Sequence, residues 1–238
     1  MTRLPMATCD QLAHLETGIA RHLHKVRMRF LTKTIAGIKK EKGSLRILDI
    51  GCGDGAVTKY VLTACDSKDK VICLDMSRLR LNRAKKLLGD RVKLIIGDAK
   101  NLKFPSNSFN VVLMHHVIEH IPGDDDVLKD VHRVLTKGGY ILIGVPHEGG
   151  AIGKILRAIH RGMYRKSQHV NFYTTGAMTK QLKAAGFRGV VIGRFGLLFP
   201  FYPIHWLILT SKPLFDIGDW VTQKFGFTAD SLFFVAKK

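Results

Sequence analysis

Arg46-Ile47-Leu48-Asp49-Ile50-Gly51-Cys52-Gly53-Asp54-Gly55 decides how the rest of this 238-residue chain is read. It begins as a short apolar run and breaks into three glycines at alternate positions. That pattern predicts a buried strand, a tight glycine turn and a helix starting near Ala56. Glycine lacks a Cβ, so the turn can bend sharply and bring backbone close to a bound molecule. The first amides of the following helix then offer hydrogen bonds to it.

Working outward, Lys70 to Asp75 predicts a second strand ending in an acid, and Ser77 is placed to cap a helix to about Leu88. Arg91 to Ile96 predicts a third strand closed by Gly97-Asp98-Ala99. Phe109 to Met114 predicts a fourth strand and Asp124 to Leu135 a helix stopped by Lys137-Gly138-Gly139. Tyr140 to Val145 predicts a fifth strand. Thr174 or Thr175 is placed to cap a helix to Ala185, and Phe187 to Arg194 and Ser231 to Ala236 predict two more strands. Apolar strands alternating with helices imply an α/β, Rossmann-like, doubly wound parallel sheet covered on both faces. Ligands of such sheets bind beyond the carboxyl ends of the strands. Residues 10–42 predict an N-terminal helix. The expected organisation is a helical cover over 1–44 and a binding domain over 45–238, with insertions at about 149–170 and 195–228.

Composition narrows the partners. A hydrophobic content of 46% is enough for a real core and excludes disorder. Cys9, Cys52, Cys65 and Cys73 have no paired spacing, so neither a disulfide framework nor structural zinc is expected, and a reducing cytoplasm is. Met1 to Pro5 has no long apolar core, so no secretory signal is expected. The net charge is +19, with surpluses of +6 over residues 1–44, +4 over 45–147 and +9 over 148–238. Such a surplus bears on partners rather than on fold.

The glycine turn alone does not choose a cofactor. Gly51-x-Gly53-x-x-Ala56, with Asp75 twenty residues after Gly55, also fits a dinucleotide fingerprint. Charge makes the choice. Asp49 and Asp54 flank the turn with negative charge, which disfavours a pyrophosphate. S-adenosylmethionine carries a sulfonium and an ammonium that acids attract, and its carboxylate can take the turn amides of Gly51, Cys52, Gly53 and Gly55. Asp75 is placed to accept ribose hydroxyls, and Asp98 an adenine amino group.

Ile47 to Gly55, Leu74-Asp75-Met76-Ser77, Gly97-Asp98-Ala99, Val117-Ile118-Glu119-His120 and Leu135-Thr136-Lys137-Gly138-Gly139 together resemble the successive motifs of class I S-adenosylmethionine-dependent methyltransferases, of the small-molecule and quinone type. The resemblance is close over residues 45–147 and loose over 170–194. It implies a seven-stranded sheet with an antiparallel last strand, supplied by Ser231 to Ala236. It implies S-adenosylmethionine contacts at Asp49, Gly51, Asp75, Met76, Asp98, Ala99 and His115.

For the chemistry, His116, Glu119 and His120 stand at i, i+3 and i+4 and share a face if their turn is helical. Three readings stay open. The group orders a loop, supplies a histidine base from His116 or His120, or binds a divalent metal with an acid from Asp124-Asp125-Asp126. A metal is not expected. Gln168 to Thr174 resembles the acceptor-closing segment of quinone methyltransferases, which marks His169, Asn171 and Tyr173 as substrate-side candidates. From Gly149 to Phe215 there are ten Lys or Arg and no acid. Ile152, Ile155, Leu156, Ile159 and Met163 fall on one stripe of a helix, with Lys154, Arg157, Arg161 and Arg165 opposite. That pattern suits an anionic membrane surface. Phe195 to Phe227 reads as an apolar, proline-broken insertion that covers a greasy substrate, enters an interface or forms a homodimer contact. The expected function is methyl transfer to a small hydrophobic or membrane-held acceptor, at oxygen. An RNA methyltransferase and a non-catalytic binding module are the alternatives.

Overall fold

A computed structural model describes residues 18, 20–162, 167–226 and 229–238. The quoted stretch becomes the central strand, β1 (Arg46–Ile50). It pairs in parallel with β2 (Lys70–Asp75) on one side and β4 (Phe109–His115) on the other. β3 (Lys93–Ile96) lies beyond β2, and β5 (Leu135–Pro146) lies beyond β4. β7 (Ala229–Lys237) runs antiparallel between β5 and β6 (Arg188–Leu197). The sheet order is β3-β2-β1-β4-β5-β7-β6. The chain therefore leaves β1 in one direction for β2 and β3 and returns on its other side as β4, which opens a crevice at the carboxyl end of β1.

Side-chain alternation along β1 divides the core in two. Ile47 packs on the face covered by α1 (Arg21–Lys42), α2 (Ala56–Val61) and α3 (Arg78–Leu88), through Met28, Leu31, Ile35, Val61 and Leu81. Leu48 and Ile50 pack on the other face, beneath α4 (Asp124–Val134) and α6 (Thr175–Ala184), through Val127, Leu128, Val131, Met178 and Leu182. Ser77 caps α3 by accepting from the Arg80 amide, and Thr174 caps α6 by accepting from the Ala177 amide. Both caps stand where the sequence places them.

Three expectations shift. Of the helix expected over 10–42, residues 10–17 and 19 lie outside the described residues, and the described helix starts at Arg21. The helix ending at Leu135 stops one residue earlier, because Leu135 takes an extended backbone and pairs with Phe109. Lys137-Gly138-Gly139 is thus part of β5 rather than a helix stop, and its tip is tied down by the Gly138 amide donating to Lys238 O at 3.1 Å. The apolar insertion is not one broken segment. Phe195 to Leu197 prolongs β6, and Pro203 and Pro213 each sit in the first turn of a helix, α7 (Tyr202–Thr210) and α8 (Lys212–Phe225). Proline suits a first turn because its missing N–H has no partner there.

The basic amphipathic helix forms as α5 (Ala151–Ile159), with Leu156 buried and Ile155 and Ile159 exposed. Met163 and Arg165 lie outside the described residues. Arg157 is not free on its outer face: its guanidinium sits 3.9 Å over the Phe172 ring and donates to Glu148 O.

Candidate active site

The turn after β1 is built on positive φ. Gly51, Gly53 and Gly55 have φ of 69°, 57° and 84°. At Gly51 there is no room either, since a Cβ would lie 2.4 Å from Val117 Cγ2. The backbone is thereby pressed against the loop after β4. Asp75, at the end of β2, fastens the turn from the other side. Its Oδ2 accepts from the Gly53 amide at 2.9 Å and its Oδ1 from the Ser77 amide at 2.8 Å.

Beside this turn lies a cavity of about 380 Å³. Its lining includes Gly51, Asp75, Met76, Asp98 and Ala99, the cations Arg80 and Lys100, and His116, Val117, His120, Ile121 and Pro122 from the loop after β4. Asp49 lies beneath the turn, buried, with Thr58 Oγ1 donating to its Oδ2 at 2.6 Å. Burial raises its pKa from 3.8 to about 7, against the Thr58 hydrogen bond and with a smaller push from Asp75.

The loop after β4 is not the helical turn that would put three ligands on one face. His116 has φ 54°, and only Ile118–His120 forms a single 3₁₀ turn. His116 faces away from His120 in its bonding. Its Nδ1 pairs with Glu119 Oε1 at 2.9 Å, and its Nε2 lies 2.9 Å from Arg27 Nη1. Arginine cannot accept a hydrogen bond, so Nε2 is the acceptor and Nδ1 carries the proton given to Glu119. Burial pushes the Glu119 carboxyl up, but the hydrogen bonds it accepts, from His116 first, outweigh it and hold it below the usual carboxylate range. Arg27 comes from α1, is buried, and also donates to Ser231 Oγ at 3.3 Å. The motifs read from the sequence do not single it out. Only its spacing of four from Leu23 and Leu31, both buried, places it on the inner side.

His120 turns instead toward His169, with ring centroids 4.8 Å apart. Its Nδ1 lies 3.3 Å from Gln168 O, and a carbonyl only accepts. His169 Nδ1 lies 2.7 Å from Glu148 Oε2, a hydrogen bond that raises the His169 pKa. Each imidazole is thus left with its other nitrogen as an acceptor when neutral. Glu119, His120 and His169 offer ligand atoms within 4.8 Å of one another, and Glu119 Oε2 is buried without a hydrogen-bond partner. These three residues, rather than His116 with the Asp124 to Asp126 acids, form the group that can hold a divalent ion.

Residues 48–143 match the methyltransferase domain family. That stretch is similar to the class I S-adenosylmethionine-dependent methyltransferases. Among the relatives of this chain, a demethylmenaquinone methyltransferase of Staphylococcus epidermidis is 34% identical over 130 residues, covering 54% of this chain and 52% of its own. A 27-O-demethylrifamycin SV methyltransferase of Amycolatopsis mediterranei is 32% identical over 165 residues, covering 65% and 57%. The chain spans about half the length of the demethylmenaquinone relatives, and 31% of a sterol 24-C-methyltransferase from Aspergillus fumigatus. A solved S-adenosylmethionine-dependent methyltransferase from Archaeoglobus fulgidus superposes with a TM-score of 0.65 at 20% identity, over 95% of this chain and 97% of that one.

Within the fold the predicted residues divide. Gly51, Asp75, Met76, Asp98 and Ala99 meet at the cavity, while Cys52, Gly53, Gly55 and Asp49 form the turn and its support. The His115 side chain goes elsewhere. Strand alternation turns it to the opposite face of the sheet, where its ring lies 5.5 Å from Phe233, and burial holds its pKa well below the ordinary value. Asn171 and Tyr173 are likewise not beside the cavity. Asn171 Nδ2 donates to Ile118 O and Ile121 O at 3.1 and 2.7 Å, and the buried Tyr173 donates to Asp124 Oδ2 at 2.6 Å. They brace the 118–121 turn from behind.

Tyr173→Phe therefore lowers stability by about 2 kcal/mol, since it removes a hydrogen bond to a carboxylate oxygen otherwise held only by Gln181. Thermal unfolding of the two forms at neutral pH checks this, and an unchanged midpoint would contradict the bracing role.

Proposed function

We propose that this chain transfers a methyl group to an oxygen of a small, hydrophobic acceptor. The observation that carries the reading is the composition of the cavity. The carboxylates of Asp75 and Asp98 line it together with the cations Arg80 and Lys100, the apolar Val117, Ile121 and Pro122 and two imidazoles. The fit to S-adenosylmethionine rests on the two carboxylates and on the Gly51 backbone, where a side chain would collide with Val117. When bound there, S-adenosylmethionine supplies a methyl carbon activated by its sulfonium. Asp75 accepts the ribose hydroxyls and Asp98 the adenine amino group, while Val117, Ile121 and Pro122 exclude water from the acceptor. His120, its Nδ1 committed to Gln168 O, takes the acceptor's hydroxyl proton on the other nitrogen. His116 is held by Arg27 and Glu119 and shapes the wall rather than moving a proton. One relative's name, for a 27-O-demethylated rifamycin, supports an oxygen, while the names of a sterol 24-C-methyltransferase and an ajmaline N-methyltransferase give carbon and nitrogen as the competing acceptor atoms.

Mass analysis of products from a panel of hydroxyquinones, phenols and amines, with S-adenosylmethionine as donor, tests the reading. O-methyl products are expected, and turnover of amines alone would overturn it. In the same assay His120→Gln lowers kcat by about a hundredfold with little change in cofactor affinity.

A second reading is favoured by the orphaned Glu119 Oε2. In it, Glu119, His120 and His169 hold a divalent cation that orients the acceptor oxygens. Turnover abolished by a chelator and restored by added metal supports it, and turnover unaffected by a chelator sinks it.

A further inference from the structure

We infer that the helical hairpin α7–α8 is a docking surface for an anionic lipid bilayer. The hairpin is apolar on two sides, which a helix needs only if both sides meet something. On α8, Phe215, Gly218 and Thr222 are buried against the body of the protein. The other side carries Ile217, Trp220 and Phe225, exposed by 60, 59 and 56%. On α7, Ile208 and Leu209 are buried, while Ile204, Trp206 and Leu207 face outward, each more than 40% exposed. An exposed apolar patch of this size on one supersecondary unit marks an interaction site.

Charge chooses the occupant. A second copy of a chain with net charge +19 is repelled, whereas an anionic surface is attracted. Within the hairpin Lys212 and Lys224 balance Asp216 and Asp219, so the attraction comes from the basic surplus of the rest of the chain. Asp216 pairs with Lys212, Asp219 accepts from the Gly196 amide at 2.8 Å, and Asp230 lies 3.3 Å from His205 Nε2. At the rim, Lys224 Nζ lies 5.2 Å over the Trp220 ring, a cation beside an aromatic as suits the headgroup level of a bilayer. The contact is interfacial: no helix among the described residues is long and apolar enough to cross a membrane. The expected membrane segment, α5, also presents exposed Ile155 and Ile159, although its Arg157 is engaged by Phe172 and Glu148.

The chain's only two tryptophans, Trp206 and Trp220, both lie on this surface, so its own fluorescence reads the docking. With the full chain, vesicles of mixed phosphatidylglycerol and phosphatidylcholine should sediment the protein at low salt. They should move its tryptophan emission to shorter wavelength, and brominated acyl chains should quench it. Phosphatidylcholine vesicles alone should do neither. Ile217→Asp and Leu207→Asp each lower the bound fraction by about tenfold at limiting lipid, while binding S-adenosylmethionine like the parent as proof of folding. The inference is overturned if the protein stays in the supernatant, or if it sediments with no change in emission. It is also overturned if the emission shifts with protein concentration in the absence of lipid, which would mark a homodimer, or if RNA alone produces the shift. No step reads methyl transfer, so the outcome is independent of the acceptor reading.

Discussion

Asp75→Ala lowers the affinity for S-adenosylmethionine by about two orders of magnitude, as read by calorimetry. The carboxylate does two jobs at once. It accepts from the Gly53 and Ser77 amides, which closes the glycine turn onto the end of β2, and it borders the cavity where ribose hydroxyls are to be bound. Hydrogen bonds to a charged group are each worth about 1.5–3 kcal/mol, so losing the ligand's bonds and loosening the turn together reach that size. Asp75→Asn keeps the shape and one acceptor oxygen, and its loss is smaller. An alanine variant within about threefold of the parent, less than one such hydrogen bond, would remove Asp75 from the binding site.

The second large effect is on pH. Asp49 has a folded pKa of about 7 against an ordinary 3.8, because it is buried beneath the turn. Between those values the folded chain holds a proton that the unfolded chain has released. Stability therefore falls as pH rises through this window, by an amount on the order of 4 kcal/mol at its upper end. A cationic ligand above the turn favours the carboxylate and expels the proton. Affinity for S-adenosylmethionine accordingly rises about tenfold per unit as pH climbs toward about 7 and levels off above it. Asp49→Asn flattens both curves. Calorimetric titrations between about pH 5.5 and 8.5 check the sign, and an affinity that falls with rising pH would refute the coupling.

Much of the binding side was legible because it is local. A strand, a glycine turn and acids at strand ends are fixed by neighbours in the chain, and Asp75 and Asp98 stand where their strands leave them. What was not legible depends on distant partners. The periodicity of α1 marks an inner face, but nothing in it says that Arg27 will meet His116, 89 residues on, or Ser231, 204 residues on. His115 and His116 are adjacent in sequence and their rings lie 4.5 Å apart, yet only His116 lines the cavity, since one closes a strand and the other leaves it at positive φ. Asn171 and Tyr173 are polar residues in a loop, which reads as a binding segment. Only the fold reveals that their partners are the backbone and Asp124 behind the 118–121 turn. Pro203 and Pro213 read as breaks because proline interrupts a helix as readily as it begins one, and their place in the first turn settled which.

The reach of Arg27 from α1 to His116 has a consequence for engineering chimaeras. Residues 1–44 look like a detachable module, and a crossover between relatives at 44/45 is the natural place to exchange it. Such a hybrid would separate a buried guanidinium from the histidine and serine it serves, and would import an N-terminal helix matched to someone else's wall. The unit that must be inherited together is α1 with the loop after β4 and the strand carrying Ser231. Helix swapping in this fold is therefore workable only when those three segments come from one parent.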